Sequence, residues 1–96
     1  NFKDLCDQNL GSEDYLEIAN NSIFIVIENI PKFNEINSNQ QLRFMTLLDI
    51  IYDKNIPLAV TSSQNLDEIT SSRSLEQEFK RTISRIYELT SKIYEL

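Results

Sequence analysis

Two short, nearly unbroken runs of apolar and β-branched residues frame one helical stretch, and this order limits the folds open to the chain. The runs are Ile23-Phe24-Ile25-Val26-Ile27-Glu28 and Ile56-Pro57-Leu58-Ala59-Val60-Thr61-Ser62-Ser63, with Gln41 to Asp53 between them. A run of this kind leaves no face for water, so it predicts a strand covered on both sides. Strand, helix and strand in this order make a βαβ unit, whose crossover is right-handed and whose strands are parallel. The expected class is therefore α/β: two parallel strands flanked by helices, ending in a long amphipathic C-terminal helix.

The helix between the runs places Phe44, Met45, Leu47, Leu48, Ile51 and Tyr52 within about half of a 3.6-residue wheel. Thr46, Asp49 and Asp53 lie opposite, and Arg43 sits at the border. Leu42 and Ile50 fall outside the stripe, which predicts contact with a second surface. Asn37, Ser38 or Asn39 is expected to cap this helix, and Asn55 to end it in a left-handed turn. Before the first strand, Ser12 with Glu13 and Asp14 predicts a capped short helix to about Asn20. Pro31 limits the first strand, and Phe33 and Ile36 are expected to pin the loop after it. A short helical turn is expected at Leu66 to Ile69. Ser74 and Gln77 match a capping box opening the last helix, with Leu75, Phe79, Ile83, Ile86, Leu89, Ile93 and Leu96 on one stripe.

With 96 residues and 41% hydrophobic content, the chain can bury one modest core. It begins with Asn, which suggests a segment excised from something longer. A net charge of -6 argues against duplex DNA as a partner, and no nucleic acid is expected. No run approaches the length of a membrane span, so no transmembrane segment is expected and a reducing, cytoplasmic compartment fits best. Cys6 is the one cysteine and the chain has no His, so a thiolate would lack a base. A small buried hydrophobe is the expectation there, with Phe2 and Leu5 as inward anchors.

The chemistry of a complete active site is missing. There is one Gly and no Gly-x-x-x-x-Gly-Lys run, so a phosphate-cradling loop cannot form. No triad or zinc set can be assembled, and no metal site is expected. Glu28 closes an apolar strand as a degenerate Mg²⁺-linked acid would, and any sheet strand can end in a charge. Thr61 to Ser63 lie at the carboxyl end of a strand, where open α/β sheets bind ligands, and where ordinary hydroxyl turns also occur. Arg81 and Arg85, one turn apart beside the apolar stripe of the last helix, suit either a solvated face or an anionic partner.

The order of several phrases is more specific than any of them alone. Phe2-Lys3-Asp4-Leu5-Cys6, then Gly11-Ser12-Glu13-Asp14-Tyr15-Leu16-Glu17-Ile18-Ala19, then Ile30-Pro31, precede Leu42-Arg43-Phe44-Met45-Thr46-Leu47-Leu48-Asp49-Ile50-Ile51-Tyr52-Asp53. Phe79-Lys80-Arg81-Thr82-Ile83-Ser84-Arg85-Ile86-Tyr87-Glu88-Leu89 closes the series. Together they resemble the cell division protein ZapE group of AAA+-type P-loop ATPases, whose mitochondrial relatives are the lactation-elevated, AFG-type proteins. The resemblance implies that residues 1–96 are one α/β C-terminal segment of such an ATPase, with the P-loop core upstream and missing.

For the full-length protein, the resemblance implies ATP hydrolysis with Mg²⁺; the fragment alone is expected to bind neither and to be inactive. It also implies partners among division-ring or client proteins, assembly into a homo-oligomer, and work in cell division or membrane-protein quality control. Carried over residue by residue, it points to Arg85 and Arg81 as catalytic, with Arg85 reaching the γ-phosphate, and to Arg43 as nucleotide-binding. The alternative is a catalytically silent module that binds a division or client protein.

Overall fold

The structure is a computed structural model that describes residues 2, 6, 11–62, 65 and 68–94, without the side chains of residues 12 and 91–94. Its elements are α1 (Ser12–Asn20), β1 (Ile25–Ile30), α2 (Ser38–Lys54), β2 (Leu58–Ser62) and α3 (Glu76–Tyr94), the last entered through a 3₁₀ turn at Arg73–Leu75. β1 and β2 pair in parallel, so the βαβ unit expected from the two apolar runs is present.

The pairing explains where the strands begin. Ile25 opposes Leu58, and the Ile25 N–H donates to the Pro57 carbonyl at 3.0 Å. Pro57 has no N–H of its own, so the ladder stops there, and the apolar Ile23 and Phe24 stay outside β1. At the other end β1 runs past Glu28 to Ile30 through a register shift. Ile27 opposes Val60 and Ile30 opposes Ser62, so Glu28 and Asn29 face Thr61 alone. Asn29 takes up the extra residue with φ of 64°, and its N–H donates to Thr61 Oγ1 at 2.9 Å. Asn tolerates this left-handed geometry better than a β-branched residue.

Coverage on both sides of the strands, expected from their composition, is corrected. Ile25, Ile27 and Ile30 are buried, whereas Phe24 and Val26 are each 46% exposed and Ile23 is 93% exposed. One sheet face packs on the helices and the other is open.

The helices bury what their periodicity predicts. In α2, Phe44, Met45, Leu47, Leu48 and Ile51 are in the core and Tyr52 is half-buried. Leu42 is exposed, but Ile50 packs against the core, so the two do not share an outer surface. Asn55 ends α2 in the left-handed region at φ 57°, as expected, and Ile56 N–H closes the turn on the Ile51 carbonyl. Asn37 is the N-cap residue, as expected, but its side chain makes no capping bond. Its Oδ1 instead accepts the Asn34 N–H at 2.8 Å, which serves the preceding loop. In α1 the capping residue is Gly11 rather than Ser12, and its N–H donates to the Asp14 carboxylate at 2.9 Å.

α3 places Phe79, Ile86 and Leu89 in the core with Leu75 and Ile83 beside them. Ser74 lies within the 3₁₀ turn, so the capping box expected there does not form. Phe33 anchors its loop at the centre of an aromatic cluster, with ring centroids 5.5 Å from Phe2, 5.7 Å from Phe44 and 5.5 Å from Phe79. Ile36, expected to help it, is 95% exposed. Leu5, Leu66 and Leu96 lie outside the described residues, as does the side chain of Ile93.

Candidate functional site

Among the described residues, an ion pair and an aromatic contact join α2 and α3. Asp49 and Tyr52, one turn apart on α2, both meet Arg85 of α3. Arg85 Nη1 donates to Asp49 Oδ1 in an ion pair. The guanidinium carbon lies 4.6 Å from the centroid of the Tyr52 ring, within the range of a cation–π contact. The Tyr52 hydroxyl donates to Glu88 Oε2 at 2.8 Å, and Glu88 is three residues beyond Arg85 on the same helix. That hydrogen bond, reinforced by the carboxylate's charge, raises the Tyr52 pKa above its usual value. The Arg85 side chain is 22% exposed and Asp49 44% exposed, so the cluster lies at the rim of the core.

The arginines singled out in the sequence are not brought together. Arg81 is exposed on α3 and makes no ion pair or hydrogen bond with the described residues. Arg43 is half-buried and its Nη1 donates to the Cys6 carbonyl at 3.0 Å. Cys6 and Tyr15 are buried beside it and hydrogen-bonded to each other. Asp49, read from the sequence as a solvent-facing carboxylate, is instead the partner of Arg85. Its position on the polar side of α2 was legible. The opposite charge waiting on α3 depends on how two helices register, which no single stretch encodes.

A buried polar tie was also missed. Gln41 has no exposed surface; its Nε2 donates to Ser71 Oγ at 2.6 Å and its Oε1 accepts the Ser72 N–H at 3.1 Å. Thr70 Oγ1 donates to the Phe33 carbonyl, and Arg73 N–H to Glu35, whose carboxyl is held below its usual range by that bond. These contacts lock the 70–73 segment onto the start of α2. Beside it a groove of about 580 Å³ is lined among the described residues by Ile69, Thr70, Ser71, Glu76, Phe79, Lys80 and Ile83. Neither Arg81 nor Arg85 lines it.

The phosphate-binding loop of an ATPase has no counterpart here, since the chain has one Gly, Gly11 at the start of α1. Among the described residues no three His, Cys, Asp or Glu side chains gather as a metal ion would require. No helix among them is long and apolar enough to cross a membrane.

Comparisons with known proteins bear on the whole length. The family model described as AFG1-like ATPase matches residues 1–95. Lactation elevated protein 1 homolog B of Danio rerio is 37% identical over 68 residues, 71% of this chain and 14% of that protein. Cell division protein ZapE of Escherichia coli strain K12 is 27% identical over 93 residues, 97% of this chain and 25% of that protein. The chain thus spans about a quarter or less of these relatives. No solved structure matches it.

Proposed function

The chain belongs to the AFG1-like ATPase family, and from that premise we propose that it is the C-terminal part of a ZapE-like P-loop ATPase. In this reading the full-length protein hydrolyses ATP with Mg²⁺, and the P-loop that cradles the phosphates lies outside these residues. The present segment adds two parallel strands to the ATPase sheet and supplies arginines to the nucleotide. The observation that carries the reading is the match over residues 1–95 on a chain that folds as a parallel βαβ unit.

Arg85 and Arg81 hold the catalytic roles. Arg85 sits on the last helix with its guanidinium held by Asp49 and over the Tyr52 ring, ready to stabilise charge on the γ-phosphate. Arg81, exposed one turn earlier, reaches the same nucleotide or a neighbouring subunit of a homo-oligomer. Arg43 is assigned to the nucleotide, and its Nη1 also donates to the Cys6 carbonyl, which helps hold the residue in place. The ZapE relative is named for cell division. By extension, we place the work of this protein in the cytoplasm, on a division-ring or client protein.

Two measurements test the reading. In the intact protein, Arg85→Ala is expected to lower ATP turnover by about 100- to 1000-fold, because it removes one preorganised donor, while the melting temperature holds. Residues 1–96 alone are expected to show little or no binding of a fluorescent ATP analogue, since the phosphate-cradling backbone is absent. Unchanged turnover in a normally melting Arg85→Ala protein would sink the arginine assignment, and tight binding by the isolated segment would overturn the placement of the nucleotide site elsewhere.

A further inference from the structure

We propose that Asp49 and Tyr52 are positioning residues for Arg85, holding its guanidinium so that the Nε–Nη2 edge is presented to an anionic oxygen of the nucleotide. The inference rests on the reading of Arg85 as a nucleotide-facing arginine and adds to it the two residues that orient the group.

A guanidinium is a flat fork with five N–H donors, and two constraints define its pose. The first sets its position along one edge: Nη1 donates to Asp49 Oδ1. The second places it over an aromatic face: the guanidinium carbon lies 4.6 Å from the centroid of the Tyr52 ring. Both constraints come from α2, which is locked into the core by Phe44, Leu47, Leu48 and Ile51. Tyr52 is itself tied through its hydroxyl to Glu88 at 2.8 Å, so the ring is braced from α3 as well.

Nη1 is spoken for. Nε and Nη2 make no hydrogen bond with the described residues. They form the side edge of the fork, the geometry that grips two oxygens of a phosphate at once. The side chain as a whole keeps 22% of its surface exposed, so it is not sealed into the core. A free arginine would lose rotamer entropy when fixed on a ligand. Here the fixing is done in advance.

A purely stabilising role accounts for the arrangement less well. Asp49 is 44% exposed, and ion pairs this open to water contribute little to a fold. A carboxylate and an aromatic ring converging on one guanidinium restrict direction far more than they add stability.

The test is steady-state ATP turnover by the intact protein, with kcat and KM separated and melting temperatures alongside. Asp49→Asn keeps the shape and removes the charge, and Tyr52→Leu removes the ring. Each is expected to lower kcat by about 10-fold, the usual size of losses from orienting partners, with a smaller change in KM. On an Arg85→Ala background neither is expected to lower kcat further. Tyr52→Phe, which keeps the ring, is expected to lose less than Tyr52→Leu, and it serves as the check should the leucine variant fail to fold.

Equal losses on both backgrounds would overturn the proposal, as would a shift in melting temperature with unchanged kcat. So would tighter nucleotide binding by Asp49→Asn, which would mean that Asp49 competes with the anion. In those cases a loss in Arg85→Ala still supports the nucleotide-facing arginine. If Arg85→Ala itself turns over normally, both the reading and the positioning role fall.

Discussion

Cys6 has no exposed surface, and burial pushes its thiol up to about 12 from an ordinary 9.0. The hydrogen bond with Tyr15 and the positive charge of Arg43 pull in the opposite direction without undoing this. Tyr15 is raised to about 12 as well, again by burial first. Both groups are therefore neutral in the fold at ordinary pH. The sign of the linkage follows. A pKa raised by folding means that the folded state holds the proton more tightly than the unfolded one. The stability this provides is complete below the unfolded value and is lost as pH rises toward the folded value. For Cys6 that window runs from about 9 to about 12. The expected outcome is a stability advantage of wild type over Cys6→Ala that is constant from pH 7 to about 9 and shrinks above it. Denaturant titrations of the two proteins at several pH values check this, and an advantage that grows with pH would contradict it. The same burial makes Cys6 a slow target for thiol reagents in the native state.

At the level of elements, the sequence was most legible where periodicity and local chemistry agree. The α2 stripe of Phe44, Leu47, Leu48 and Ile51 has the helical period, and Asn55 is a residue suited to the left-handed turn it makes. Strand ends were harder, because they depend on the partner. Ile23 and Phe24 are as apolar as Ile25, yet only Ile25 finds a carbonyl to pair with, that of Pro57. The bulge at Glu28 and Asn29 is a property of two strands together and leaves no mark in either alone. The Arg85 cluster was half legible for the same reason: two phrases contained its four members, but only helix packing joins them.

Gln41 belongs here too, since it reads as an ordinary polar residue near a helix start and is a tie between elements. Replacing it with Ala leaves the buried Ser72 N–H without its acceptor and frees the 70–73 segment from α2. The expected loss is about 1–3 kcal/mol of folding stability, the usual cost of an orphaned buried donor, seen as a lower denaturant midpoint with an unchanged slope. A loss within about 0.5 kcal/mol would mean that water replaces the side chain readily.

For the whole molecule, the open sheet face is the feature that this chain cannot explain by itself. A two-stranded sheet is marginal without further strands or layers, and here Phe24 and Val26 project from its uncovered side. The chain spans about a quarter or less of its relatives, and in the proposed reading the remainder of the ATPase covers that face. Val26→Thr tests whether it does. Threonine keeps the β-branched shape and strand preference of valine and exchanges one methyl for a hydroxyl, so only the polarity of the site changes. On a face wetted by solvent, such a substitution shifts stability by no more than about 0.5 kcal/mol. On a face covered by further apolar structure, the hydroxyl is buried without a partner and costs about 1–3 kcal/mol. The second outcome is expected in the intact protein, measured as a fall in the denaturation midpoint. The first would mean that water reaches Val26 there, and that these two strands do not join a covered ATPase sheet on that side.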